Sequence, residues 1–363
     1  MSRYAKITEN IDWGLLLTTY SIVAIGLLSL YSATEVTTMT IFFKQFIWIA
    51  IGTGFLFIAF FLDYRVYLRS AWVIYFCVLA SLILVLFIGR DISGARRWIS
   101  LGPVGIQPSE LAKITLIIWI GFLGETKKHI SEFGFRELII PAGIILVPTG
   151  LILAQPDLGT ACMVLFISLI MLLLLGIRKS TVLSLGAIFL SALPFLWLLL
   201  KDYQRKRILS FFDPSRDPLG SGYHAIQSKI AVGSGGLYGK GLFQGTQTQL
   251  RFLPEHHTDF IYSVVAEEWG FIGSAVVIIL YIILITKIIS IGLKAKDRFG
   301  ALLCMGIAAY FTLHAAINIG MTIGVFPVVG VPLPFISYGG SFMVVSLFCI
   351  GVVLNVFWRR HIF

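Results

Sequence analysis

The chain has 363 residues, 58% of them hydrophobic and 13% charged, with a formal net charge of +10 and a mean hydropathy of +0.92. Apolar runs near the ~20-residue spanning length recur from end to end, which excludes a soluble domain and describes an all-α, polytopic integral membrane protein. Cys77, Cys162, Cys304 and Cys349 all lie inside apolar runs, where small buried thiols are ordinary, so neither a disulfide framework nor a cysteine metal site is expected.

Ten spans are expected, at about Ile11–Tyr31, Ile41–Leu62, Trp72–Ile88, Ser109–Leu123, Leu138–Leu153, Gly159–Ile177, Val182–Leu200, Phe260–Ser290, Phe299–Thr322 and Phe342–Trp358. They read as one membrane domain covering 1–363. Met1 to Asp12 carries few charges and leads into the first apolar run without a small-residue cleavage site, so it is expected to be retained. Ten spans place both termini on one side, whose short segments hold fifteen Lys and Arg, against four (Lys44, Arg90, Arg96, Arg97) on the other. The positive-inside rule makes the termini cytoplasmic and accounts for most of the basicity without a nucleic-acid partner.

On this topology every even-numbered span starts at the outer face, and the unusual residues gather at those starts. Span two begins near Lys44 and Gln45. Span four begins Gln107-Pro108-Ser109-Glu110, with Lys113 a turn later. Span six begins Gln155-Pro156-Asp157-Leu158-Gly159-Thr160, and span ten follows Pro334-Phe335-Ile336-Ser337-Tyr338-Gly339-Gly340-Ser341. Proline at a first helical position is good helix-start chemistry and points unpaired N–H groups outward. The long extracytoplasmic loop, 201–258, lies between spans seven and eight. It sets Arg205, Lys206, Arg207 and Arg216 beside Phe211 and Phe212, and repeats Tyr223, Ile226 and Ile230 at helical spacing. Short amphipathic helices on the outer leaflet are expected there. The following run, Gly233-Ser234-Gly235-Gly236-Leu237-Tyr238-Gly239-Lys240-Gly241, reads as a flexible turn or hinge, with an anion nest as the weaker alternative.

The loop closes on Leu253-Pro254-Glu255-His256-His257-Thr258-Asp259-Phe260 and runs into span eight. An acid at membrane depth is expensive and therefore a functional candidate. The bland reading makes Thr258 the N-cap and Asp259 a first-turn acid favoured by the helix dipole. At helical spacing Asp259, Ser263, Ala266, Gly270 and Gly273 would share one face, whose small residues would leave a groove. Glu110 with Lys113 also reads as a structural i,i+3 ion pair, Asp157 as a helix-start acid, and His256–His257 as a polar loop without a third metal ligand. His314 and Asn318, one turn apart in span nine, read as helix-to-helix hydrogen bonding.

Two acids, a lysine and several helix N-termini at one leaflet face suit a lipid-linked anionic substrate. Lys113 and loop arginines such as Arg205 would hold a pyrophosphate, and a carboxylate near a sugar hydroxyl would act as general base. A transporter would carry its polar residues nearer the midplane, and a scaffold has little need of Glu110, Lys113 and Asp259 at one depth.

Those motifs carry a resemblance. Gly94-Ala95-Arg96-Arg97-Trp98, Gln107–Lys113, Gln155–Thr160, Asp213-Pro214 followed by Asp217-Pro218-Leu219-Gly220, Gln227-Ser228-Lys229-Ile230-Ala231, Leu253–Asp259 and Val331–Ser341 together resemble the SEDS family (shape, elongation, division and sporulation). The resemblance runs from about Trp13 to the last span. Pro327–Pro334 is closer to the elongation members than to the division members. The resemblance implies a ten-span peptidoglycan glycosyltransferase of the cytoplasmic (inner) membrane that polymerises lipid II outside during elongation, with a lipid II flippase as the alternative. It implies Asp259 as the catalytic residue and matches the family's other polar positions to Glu110, Lys113 and Asp157; these three, with Arg97, Arg205, Ser337 and Ser341 from the adjoining motifs and loop, are the substrate-binding candidates. Asp259 is also where a divalent cation, Mg or Mn, would bind. The implied partners are a class B penicillin-binding protein, other elongation-complex membrane proteins and membrane lipids. His256 stands where relatives usually carry Arg, so no phosphate contact is expected of it.

Overall fold

A computed structural model describes residues 11–34, 39–92, 95–101, 104–127, 129, 132–217, 220–250, 252 and 257–360; His256, Gly94, Pro218 and Leu219 therefore lie outside the described residues. Among those described, a helix coincides with each of the ten segments. They are α1 (Trp13–Thr34), α2 (Met39–Phe61), then after a short α3 (Tyr64–Arg69), α4 (Ala71–Ile88), α5 (Pro108–Thr126), α6 (Phe135–Ala154), α7 (Leu158–Leu175) and α8 (Lys179–Leu199). The outer loop contributes α9 (Asp202–Phe212), α10 (Ser221–Ser234) and the one-turn α11 (Thr246–Gln249), before α12 (Ile261–Leu293), α13 (Arg298–Thr322) and α14 (Gly340–Arg359). Eight of these helices are long and apolar enough to cross a membrane.

One element was not anticipated. Between α4 and α5 the chain forms a small antiparallel sheet of β1 (Arg90–Ile92), β2 (Ala95–Leu101) and β3 (Val104–Ile106), in the order β1-β2-β3. Ile99 pairs with Ile106, and Ser100 with Gly105. The hairpin leads directly into Pro108 at the start of α5 and so sets where that start sits.

The helix with the least apolar outer end is the most enclosed. Pro108 through Gly121 of α5 is buried except Leu111, because α4, α7 and α13 pack around it. A bundle interior is where a membrane protein can hold Glu110 and Lys113, since partners are available there and not in lipid. By contrast α8 shows Leu183, Phe189 and Leu190 outward, as a peripheral helix solvated by lipid should.

The 33 residues of α12 are two helices joined at Gly270, whose φ of 66° no residue with a side chain adopts cheaply. The break frees backbone groups that hydrocarbon cannot satisfy, and the glycine run of the outer loop satisfies them. Phe271 N donates to Gly236 O (2.9 Å) and Ile272 N to Leu237 O (3.2 Å), while Lys240 N and Gly241 N donate to Glu267 O and Glu268 O, each at 3.0 Å. The run 233–241 is therefore neither a flexible hinge nor an anion nest. It is a backbone clamp on the broken helix, and its glycines permit the close approach.

At the opposite end, Asp12 pairs with Lys287 (3.0 Å) and Arg359 with Asp63 (3.0 Å). Tyr64 donates to Asp297 (2.7 Å), which itself caps α13 through Gly300 N. Burial first, and then this carboxylate, push the Tyr64 phenol up.

Candidate functional site

The site is assembled around an irregular stretch, 324–339, that returns from α13 to α14. A helix ladder does not pair its backbone, so side chains from several helices do. Asn318 Nδ2 donates both to Val331 O (2.7 Å) and to Asp259 O (2.8 Å). Ser337 Oγ receives the N–H of Leu333 (2.7 Å) and donates to Thr258 O (2.6 Å). Tyr338 N donates to His257 O (2.9 Å), and the Gln45 amide takes Gly339 N and reaches Ser337 O, each at 3.3 Å. Phe335, buried at φ 67°, shows how firmly the stretch is determined, because a bulky residue enters that region only under such constraint.

These contacts displace the helix-cap reading of Asp259. Residues 257–260 form a turn, α12 starts at Ile261, and its cap residue Phe260 makes no side-chain cap bond. Thr258 is therefore not the N-cap, and Asp259 does not share a helical face with Ser263 and Ala266. The carbonyls of Thr258 and Asp259 are instead taken by Ser337 and Asn318, which set the chain direction more strongly than a terminal helical turn does. The Asp259 carboxylate comes next to Gly330, where an added Cβ would stand 3.2 Å from Oδ2.

Lys113 forms the i,i+3 ion pair with Glu110 that their spacing allowed. It is 1% exposed, donates to Glu110 Oε1 (2.8 Å) and lies 2.9 Å from His314 Nε2, with the rings of Tyr310 and Phe342 at 5.3 and 5.7 Å. His314 Nδ1 lies 3.2 Å from Pro332 O. A carbonyl only accepts, so Nδ1 carries the hydrogen and Nε2 accepts from the lysine ammonium. Lys113 and Glu110 thus satisfy each other in the bundle interior, where two protein acceptors and two aromatic faces enclose the cation. His314 and Asn318 are the residues that sequence reasoning undervalued. Their one-turn spacing in an apolar span was the signal: His314 makes the helix-to-helix bond expected of it, to Lys113 of α5, whereas Asn318 bonds loop backbone.

Asp157 caps α7, accepting from Thr160 N (3.1 Å) and Thr160 Oγ1 (2.9 Å). Arg97, from β2, stands 3.5 Å from its carboxylate and donates to Gln155 O (3.3 Å) and Pro156 O (2.6 Å). The helix-start acid and the hairpin arginine are therefore brought together, a pairing no spacing predicted. Ser341 donates to Gly105 O (2.7 Å) and ties α14 to the same hairpin. Ser337 is fully buried and braces backbone. Arg205 donates to Trp197 O and Leu198 O, holding the last carbonyls of α8 away from this group.

Burial then separates the acids. Glu110, Asp157, Glu267 and Glu268 are all buried, whereas Asp259 is partly exposed. Of these five, Asp259 is the acid that is not fully buried. Among the described residues no three His, Cys, Asp or Glu gather as a metal cage.

Comparison with known proteins places this arrangement in context. A family model described as cell cycle protein, FtsW/RodA/SpoVE, matches residues 10–361. The peptidoglycan glycosyltransferase MrdB of Escherichia coli K12 is 41% identical over 297 residues, spanning 82% of this chain and 80% of MrdB. Stage V sporulation protein E of Bacillus subtilis is 39% identical over 358 residues, 95% of this chain and 96% of that protein. Among solved structures, a chain from a study of coordinated polymerization and crosslinking by a peptidoglycan synthase complex superimposes with a TM-score of 0.84 at 33% identity, covering 97% of this chain and 98% of that one. The rod shape determining protein RodA of Thermus thermophilus superimposes with a TM-score of 0.73 at 31% identity and the same coverage.

Proposed function

The chain belongs to the FtsW/RodA/SpoVE family, and on that premise we propose that it is the membrane-embedded peptidoglycan glycosyltransferase of cell elongation, joining the disaccharides of lipid II into glycan strands. The observation that carries the assignment of its chemistry is the position of Asp259. This acid is partly exposed while Glu110, Asp157, Glu267 and Glu268 are buried, and its backbone is pinned by Asn318.

Asp259 is the general base. A sugar hydroxyl of the acceptor attacks the anomeric carbon of the donor, its proton passes to the Asp259 carboxylate, and the bond to the lipid pyrophosphate breaks. Attack on the face opposite the leaving group inverts the anomeric centre, turning an α-linked donor into a β-linked glycan without a covalent sugar–enzyme intermediate. The Lys113–Glu110–His314 group and the Arg97–Asp157 pair hold the hairpin, α5, α7 and the 324–339 stretch in register around that base.

A Mg or Mn ion fits this donor set in one way. Magnesium is commonly held by one or two carboxylates plus substrate phosphates, so Asp259 would supply the protein ligand and the ion would arrive with the pyrophosphate. Its contribution would be to neutralise charge on the leaving group.

A structural relative works within a synthase complex that coordinates polymerization and crosslinking. We take the matching partner here to be a class B penicillin-binding transpeptidase. The test of the function is purified protein with labelled lipid II and no sugar nucleotide. Glycan ladders on a gel are expected; movement of lipid II across liposomes without polymer would overturn the polymerase in favour of a flippase.

A further inference from the structure

Asp259 heads a piece of helix that the membrane-spanning part of α12 does not hold. The break at Gly270 leaves Ile261–Trp269 as a short, separate segment, and a catalytic carboxylate placed on such a segment is only as well positioned as the contacts that anchor it. Its head is held by Asn318, and its foot by Glu267 and Glu268, two buried acids that the chemistry above does not use.

Glu267 is 0% exposed, and its Oε1 is held from the outer loop. Its Oε1 accepts from Lys240 Nζ (2.7 Å), Gln247 N (3.0 Å) and Thr246 Oγ1 (3.2 Å), while Lys240 also bonds Thr246 Oγ1 (2.9 Å). Gly245 closes over the other oxygen, since a Cβ there would stand 2.9 Å from Oε2. Glu268, next in sequence, accepts from Ser32 of α1, whose hydroxyl also receives Phe243 N (3.2 Å). Together with the backbone bonds from Lys240 and Gly241, the loop 240–249 grips one end of the segment whose other end carries Asp259.

Burying a charge costs several kcal/mol and breaks even only with good geometry and full hydrogen bonding. A purely structural contact between loop and helix is made more cheaply by apolar side chains. A buried, three-partner carboxylate adds direction: Ile261–Ala266 are buried as well, but apolar contact is non-directional, and the carboxylate fixes the rotation and height of the short helix. We propose that Glu267 is a positioning residue for the transfer reaction, acting through the Lys240–Thr246–Gln247 clamp to hold the Ile261–Trp269 segment, and with it Asp259, at its working position. This rests on the reading of Asp259 as the base.

The experiment uses full-length protein in detergent and two readouts, lipid II polymerisation kinetics and amide hydrogen exchange. The double variant Glu267→Leu with Lys240→Met removes both charges and the clamp together, so no uncompensated ion remains. Glu267→Gln with Lys240→Met keeps an acceptor for Thr246 and Gln247. Thr246→Val, on the exposed side, weakens the clamp without touching the helix. For the Leu variant we expect kcat to fall on the order of 10–100-fold at unchanged KM, with faster exchange confined to the amides of Ile261–Trp269 and slow exchange kept beyond Gly270. The Gln variant should recover most of the turnover, and Thr246→Val should fall between. Wild-type exchange across Ile261–Trp269 in the Leu variant, or activity lost only in proportion to the folded fraction, would overturn the positioning role. Should wild-type protein fail to polymerise lipid II, the glycosyltransferase reading falls, while the exchange measurement still decides the clamp.

Discussion

The side-chain amide of Asn318 holds the carbonyl of Asp259 at 2.8 Å and that of Val331 at 2.7 Å, so one nitrogen ties the turn that carries Asp259 to the 324–339 stretch. Replacing Asn318 with Leu leaves two carbonyls short of a donor, each costing about 1–3 kcal/mol where buried, and releases the turn. Because a misplacement of 1 Å can cost ~10²-fold, kcat should drop by about that factor. Steady-state polymerisation by Asn318→Leu beside Asn318→Gln checks this, and equal loss in both variants would show that the amide's reach matters more than its chemistry.

Asp259→Asn should fold and fail to polymerise. Since Asp259 caps no helix, the isosteric amide removes no cap, and the backbone bonds from Asn318 and Ser337 are untouched. The amide does not accept the hydroxyl proton, and loss of a positioned base costs ~10²–10⁴-fold. Thermal stability and polymerisation measured on the same preparation decide it; a stable variant working near the wild-type rate would remove Asp259 from the chemistry.

Lys113→Ala should act mainly through stability. It strands Glu110 inside the bundle, and breaking a buried pair costs about 3–5 kcal/mol. Removing both charges, as in Lys113→Met with Glu110→Gln, should recover thermal stability. Lys113→Arg should rescue poorly, because Glu110, His314, Tyr310 and Phe342 already enclose a compact ammonium. Melting temperatures across this series are the readout, and a stable but inactive Lys113→Ala would restore direct substrate contact.

Chelation should slow polymerisation and added Mg or Mn should restore it, while protein dialysed without lipid II should hold no stoichiometric metal. Asp259 by itself is one ligand, and the remainder of the coordination would come from pyrophosphate and water. Metal analysis of the purified protein and rate recovery on titration test the two halves separately. Full activity in chelator would leave Asp259 as base without an ion.

The ten helical segments and the all-α membrane class were legible in sequence because hydropathy is a local signal. Each residue contributes to it wherever its neighbours in space turn out to be. The amphipathic periodicity of Tyr223, Ile226 and Ile230 likewise marked α10 correctly.

Partners of polar side chains are a different kind of information. Nothing in the local sequence of α5 says that Lys113 will meet His314 of α13, or in that of β2 that Arg97 will meet Asp157. Those pairings exist because the bundle brings non-adjacent helices and a hairpin into contact, and hydrocarbon offers buried polar groups no alternative partner. The same necessity moved the start of α12 past Asp259 and turned the glycine run into a backbone clamp. Hydropathy determined which segments form apolar helices; the obligation to satisfy buried donors and acceptors, met only in three dimensions, decided where each acid and its partners sit.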